Sequence, residues 1–402
     1  MSGTPLTTLS LEQLRKRTSI KWRAYPPDTL PLWVAEMDTP LAPPIAAALT
    51  EAIALGDTGY PSGHAYAEAA AGFAAARWGW DGLDVARTRQ AADVMNGLKA
   101  VLRVLSEPGD TVVVGAPLYP PFALYVADAS RRLLQVAMTE AGRLDFDALE
   151  DAFRRARADS VNPVFLLCNP HNPTGVVHTR AELEAVATLA DRHGLRVVSD
   201  EIHAPLIFDD AVFTPYLSVD GSEAAFALLS ATKGWNLAGI KSALIIAGPA
   251  ATADLRALPE VVEYGPSHLG VIAHTAALRH GGPWLDDLMA DLERNRTLLG
   301  ELLSARLPEL GYHRPQGTYL AWLDCAALGV PDVDHPTPGV LDPGAGPGAF
   351  FVERARVVLN SGHAFGAGGR DHVRLNFATS PDILTGAVER MAEAVRTHLD
   401  QR

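Results

Sequence analysis

Lys233 closes the apolar run Phe226-Ala227-Leu228-Leu229-Ser230, is flanked by the hydroxyls of Ser230 and Thr232, and is followed by Gly234. A lysine placed there sheds its proton by desolvation and is suited to forming a Schiff base with a carbonyl group, although a lysine read alone is more often a solvated surface charge. Lys241, eight residues on, together with the Ser230 hydroxyl offers a compact positive charge and a donor for a phosphate. Asp200 sits in Ser199-Asp200-Glu201-Ile202-His203, where the chain leaves another apolar run, and its carboxylate is placed to pair with a buried cation. A helix cap or solvated loop residue is the alternative for Asp200, and a satisfied loop histidine is the alternative for His203. Asn172, in Cys168-Asn169-Pro170-His171-Asn172-Pro173-Thr174-Gly175, is presented by a proline-punctuated turn. Its amide could bind a phenolate-like oxygen, while Asn-Pro and Pro-Thr-Gly are also ordinary turn formers.

These residues need strands to carry them. Apolar β-rich runs over 111–114, 164–168, 196–199, 226–230 and 243–247 alternate with helical patterns such as 180–193, the signature of a mostly parallel sheet with helices on its faces. In such α/β sheets ligands bind at the carboxyl ends of the strands, where the three motifs stand. A long helical stretch over 271–306, separated strands over 318–324, 357–359 and 373–377, and a terminal helix over 380–399 predict a smaller α+β domain. The expected organisation is an N-terminal arm with part of the small domain (1–45), a large cofactor-binding domain (46–285) and a small C-terminal α+β domain (286–402). Six prolines between Pro26 and Pro44 exclude a continuous helix or central strand there, so the segment is expected to run over the surface as a docking arm. The proline-rich stretch 329–348 reads as a long loop, either an insertion or a substrate-facing lid, and the glycine-rich pieces 344–348 and 366–369 read as loops.

The 402 residues are long enough for two domains. A formal net charge of −13, with no Lys/Arg-rich run, argues against nucleic acid and anionic membrane as partners and favours a small-molecule substrate. Cys168 and Cys325, far apart and without a CxxC pair, indicate neither a disulfide framework nor a zinc site. The absence of a signal-like start and of a membrane-length apolar run leads to a cytoplasmic expectation.

Taken together, Asn172, Asp200 and Lys233, spaced 28 and then 33 positions apart, resemble the pyridoxal phosphate enzymes of fold type I in the class I/II aminotransferase superfamily. Leu32-Trp33-Val34-Ala35-Glu36-Met37-Asp38, Thr58-Gly59-Tyr60-Pro61, Pro117-Leu118-Tyr119, Leu359-Asn360-Ser361-Gly362 and His372-Val373-Arg374-Leu375-Asn376 are similar to the MalY/PatB-type cystathionine β-lyase branch, and the resemblance covers nearly the whole chain. It implies that Lys233 holds pyridoxal 5′-phosphate as a Schiff base and moves the substrate Cα proton, that Asp200 pairs with the pyridinium nitrogen, and that Asn172 bonds the phenolic oxygen with help from His203. It further implies that Tyr119 stacks on the ring, that Tyr60 reaches the phosphate of a partner subunit in a homodimer, and that Arg374 clamps the substrate carboxylate. The chain departs from the pattern at Asp93, where many relatives carry Gly or a small hydroxyl residue beside a phosphate. Asp93 is expected to cap a helix with its side chain turned aside while Asp93 and Val94 offer backbone N–H groups. The implied activity is α,β-elimination from L-cystathionine or a related L-cysteine S-conjugate. An aminotransferase is the alternative, and a regulatory protein of the same fold acting through a protein partner is a remoter one.

Overall fold

The structure, a computed structural model, describes residues 4–331 and 346–401. A seven-stranded sheet runs in the order Thr88–Ala91, Ala243–Ala247, Phe226–Leu229, Arg196–Asp200, Val164–Cys168, Thr111–Ala116, Arg132–Ala137. Ala243–Ala247 lies antiparallel to both neighbours, and all other pairings are parallel. Side chains along a strand alternate between faces, and here both faces are covered. Val164 and Leu166 join one core with Leu98 and Phe122, whereas Phe165 and Leu167 join another with Phe153 and Leu183. The apolar runs are therefore continuous, as a doubly covered parallel sheet requires. Helix Arg180–His193 shows how locally consistent the connections are. Thr179 and Glu182 form a reciprocal capping box at its start, and Gly194 ends it at φ +67°.

Register brings the functional motifs to one edge: Cys168 stands opposite Asp200, and Asp200 opposite Leu228. The loops carrying Asn172 and Lys233 thus leave the sheet beside the end of the Asp200 strand.

A second, four-stranded antiparallel sheet orders Asn360–Ser361, His372–Asn376, Leu320–Asp324 and Gly311–Tyr312, with helix Pro381–Asp400 packed nearby on helix Gly282–Arg306. The 285/286 boundary expected from the sequence falls in the first turn of Gly282–Arg306.

Several expectations are corrected. The helical stretch 271–306 is two helices, His268–His280 and Gly282–Arg306. Pro283 begins the second, and a Cβ at Gly281 would lie 2.4 Å from the indole nitrogen of Trp235, which donates to the Gly281 carbonyl. The 318–324 strand starts only at Leu320 because Thr318 adopts φ +69°. The 357–359 run is only the two-residue strand Val357–Val358, which pairs with Leu30–Pro31, and it is the following Asn360–Ser361 that joins the small sheet. Of the glycine-rich piece 344–348, residues 346–348 open the short helix Gly346–Phe350. Residues 332–345, most of the stretch read as an insertion or lid, lie outside the described residues.

The N-terminal segment is not a surface arm. Leu30, Leu32, Trp33 and Met37 are buried, and Lys21 and Asp38, both 1% exposed, form an ion pair of 2.9 Å beneath it. Beyond its short pairing at Leu30–Pro31, the segment can be buried only if its carbonyls find other donors. Side chains supply them here, as described below.

No helix among the described residues is long and apolar enough to cross a membrane, and none of their His, Cys, Asp and Glu side chains group as a metal site. Cys168 and Cys325 are free and buried.

Candidate active site

A cavity of about 290 Å³ opens at the carboxyl edge of the large sheet. Asp200, Asn172, His203, Tyr119 and Lys233 line one part, and Val94, Asp93 and Lys241 line another. The structure thus brings eight of the expected site residues to one pocket. Its volume lies at the low end of the range for small-ligand sites.

Lys233 is half-buried and faces this cavity, with its Nζ donating to the Ala35 carbonyl at 3.0 Å. Burial and the nearby Arg374 charge lower its ammonium to about 8, against opposition from Glu36 and Asp200. Asp200 is buried and accepts one hydrogen bond, from the Ile202 N–H at 3.1 Å. Burial pushes its carboxyl up to about 6, opposed by that N–H and by Lys233. It therefore remains largely ionised at neutral pH and has acceptor capacity to spare for a cationic group.

Arg374 is buried on strand His372–Asn376, where its guanidinium is held from three sides. Its terminal nitrogens donate to Asn172 Oδ1 at 2.8 Å, Asn360 Oδ1 at 2.6 Å and the Trp33 carbonyl at 3.2 Å, while its Nε–H finds no partner. Burial lowers it to about 10, so it stays charged, a planar donor held ready for an anion. The bond to Arg374 occupies Asn172 Oδ1, leaving the Nδ2 of that amide as the donor for a ligand oxygen. His203 is buried with its Nδ1 unpartnered, and burial beside Lys233 and Arg374 holds its imidazole well below the ordinary value, hence neutral. Tyr119 precedes helix Pro120–Asp128 and packs edge-on against Phe122, its phenol pushed up to about 12 by burial.

At the other end, Asp93 caps helix Val94–Leu105 by accepting from the Asn96 N–H at 2.8 Å, as expected. Its side chain is not turned aside, however: Oδ2 accepts from Lys241 Nζ at 2.8 Å, an ion pair at the edge of the pocket. Ser230 departs from its expected role. Its Oγ donates to the Ser242 carbonyl at 2.7 Å behind the pocket, and Thr232, not Ser230, reaches the lining. Tyr60 lies away from this pocket, 83% exposed, with its ring edge-on to the exposed Tyr264.

The segment Trp33–Met37 was read from the sequence as a motif without a role. The structure shows five consecutive carbonyls gripped by side chains: Trp33 by Arg374, Val34 and Glu36 by Asn376, Ala35 by Lys233 and Tyr319, Met37 by Asn236 and Arg17. Tyr319 is fully buried and donates to Ala35 at 2.9 Å. It follows Thr318, a β-branched residue in the left-handed region, a conformation that costs of order 1–3 kcal/mol and persists only where its surroundings enforce it. Asn360 and Asn376 could have been singled out as amides within apolar strand runs; Ala35 and Thr232 carry no such signal.

Comparison with known proteins gives consistent results. A family model described as Aminotransferase class I and II matches residues 36–391. A Mycobacterium leprae protein provisionally named a cystathionine beta-lyase is 55% identical over 98% of this chain and 99% of its own length. A Corynebacterium glutamicum cystathionine beta-lyase is 32% identical over 96% of this chain and 99% of its own. The crystal structure of a Corynebacterium diphtheriae protein, provisionally described as a PLP-dependent beta-cystathionase, superposes with a TM-score of 0.87 at 34% identity, covering 98% of this chain and 99% of that one.

Proposed function

The chain belongs to the aminotransferase class I and II family, and within it we propose a pyridoxal 5′-phosphate-dependent carbon–sulfur β-lyase that converts L-cystathionine or a related L-cysteine S-conjugate, with one water, to a thiol, pyruvate and ammonia. The observation that carries this reading is the half-buried Lys233, its ammonium destabilised, sharing one pocket with the buried carboxylate of Asp200. Full-length likeness to relatives named as cystathionine beta-lyases favours elimination over transamination.

The residues fit the cofactor. Asp200 has an under-used carboxylate for a protonated ring nitrogen, Asn172 and neutral His203 offer hydrogen bonds to the phenolic oxygen, and Tyr119 supplies an aromatic face. Val94, at a helix N-terminus, and Lys241 stand at the phosphate end. When bound, pyridoxal 5′-phosphate supplies an electron sink for the negative charge that develops at the substrate Cα.

The chain's own part is to bind, orient and move protons. Arg374 receives the substrate carboxylate on a guanidinium already fixed by Asn172 and Asn360, which sets the Cα–H bond toward Lys233. Lys233, near its proton-exchange point at physiological pH, takes the Cα proton and returns one to the departing sulfur. Asp200 holds positive charge on the ring nitrogen throughout. The exposed Tyr60 completes the phosphate end of a partner's site in a homodimer; its position away from its own pocket supports this role. We also propose a cytoplasmic location, supported by two free, buried cysteines.

Purified protein given L-cystathionine should release pyruvate and free thiol in equal amounts over many turnovers. A single turnover that stops until a 2-oxo acid is added would identify an aminotransferase instead.

A further inference from the structure

The phosphate end of the pocket contains a carboxylate. At the inner end the Asp200 carboxylate stands beside Lys233, whereas Lys241 and the N-terminal N–H groups of helix Val94–Leu105 stand at the other end, where an anionic phosphate is best received. There Asp93 uses its two oxygens differently. Oδ1 caps the helix, accepting from the Asn96 N–H and side-chain amide at 2.8 and 2.9 Å. Oδ2 takes no part in the cap and accepts from Lys241 Nζ at 2.8 Å. Partial burial raises the Asp93 carboxyl, but hydrogen bonds from Lys241 and Asn96 outweigh it and keep the group below the ordinary carboxylate value, hence ionised. A cap needs only one acceptor oxygen, so the negative charge here is not required by the helix.

We propose that Asp93 competes with the cofactor phosphate for Lys241 and so weakens cofactor retention, making pyridoxal 5′-phosphate exchangeable in this chain. The proposal rests on the cofactor reading above. A phosphate entering this end meets a carboxylate and an ammonium that already neutralise one another, in place of a free ammonium. It must share Lys241 and tolerate a like charge beside it. Phosphate carries close to two charges at pH 8, so the penalty is then near its maximum.

The test is cofactor affinity, read from the visible absorbance and tryptophan fluorescence of protein stripped of cofactor and titrated at pH 8 with pyridoxal 5′-phosphate or with phosphate-free pyridoxal. Asp93→Asn and Asp93→Ser both preserve an N-cap oxygen. Each should bind pyridoxal 5′-phosphate at least tenfold more tightly and release it correspondingly more slowly, with pyridoxal affinity changed less than twofold. Lys241→Met should weaken the phosphate-bearing ligand alone, and adding it to Asp93→Asn should abolish the gain. Equal or weaker pyridoxal 5′-phosphate binding by both Asp93 variants, with pyridoxal unaffected, would overturn the proposal and show that Asp93 serves the phosphate by orienting Lys241. Wild-type protein that develops no visible absorbance with either ligand would instead overturn the cofactor reading itself.

Discussion

Lys233 and Lys241 lie eight residues apart and line the same cavity, yet their surroundings push them in opposite directions. Lys233 is half-buried, bonded only to a neutral carbonyl, and near a guanidinium, so its ammonium is lowered to about 8. Lys241 is exposed and paired with Asp93, which raises its ammonium. The first is suited to exchanging a proton, and the second to holding a fixed charge. Chemical type does not separate them. What does is burial beside a guanidinium in one case and a carboxylate partner in the other.

Removing Lys233 should have the largest effect. Lys233→Ala is expected to lose covalent attachment of the cofactor and to slow pyruvate formation by roughly 10³-fold or more, as general acid–base groups typically supply about 10²–10⁴. Borohydride reduction followed by mass measurement reads the attachment, and a variant with undiminished lyase rate would end the distinction between the two lysines.

Arg374→Lys sharpens the comparison by placing a third lysine beside the pocket, against the lining residue Asn172. A point charge cannot reproduce the fork that reaches Asn172 and Asn360, so kcat/KM for L-cystathionine should fall roughly 100-fold, or about 2.7 kcal/mol.

The opposite shifts also predict opposite pH dependences of stability in cofactor-free protein. Between the folded value of Lys233 near 8 and its unfolded value of 10.5, the unfolded chain binds more protons. Stability should therefore rise across that window by up to about 3 kcal/mol relative to Lys233→Met, a difference readable from denaturant midpoints. Lys241, whose folded value is raised, contributes stability below its unfolded value that disappears as pH rises through the folded one. The Lys241→Met comparison should slope the other way.

Tyr319→Phe should have the smallest effect, about 1 kcal/mol of stability for one hydrogen bond lost from the Ala35 carbonyl. With Tyr319 gone, Lys233 is the remaining side-chain donor to that oxygen, so the lower pH limb of the kcat profile should move upward. An unchanged profile would separate Tyr319 from the proton chemistry.

Much of this was legible in the chain. Strand runs ending at Cys168, Asp200 and Leu229 are local patterns of apolar residues, and Asn172, Asp200 and Lys233 inherit their placement from them. Helix caps at Asp93 and Thr179 are likewise short-range. The N-terminal segment was misjudged because its burial depends on donors as distant as Asn236, Tyr319 and Asn376. Ser230 was misjudged because a hydroxyl's target depends on which carbonyl it meets, and Ser242 is delivered by the next strand.

By itself the sequence determined the doubly covered sheet, the order of its motifs and the residue types at each strand end, because periodicity and turn chemistry act over a few residues. The tertiary structure alone decided which carbonyls, carboxylates and cations face one another across the pocket. Those pairings join segments far apart in the chain, 341 residues for Trp33 and Arg374, and they leave one lysine half-buried against a neutral carbonyl and the other exposed in an ion pair.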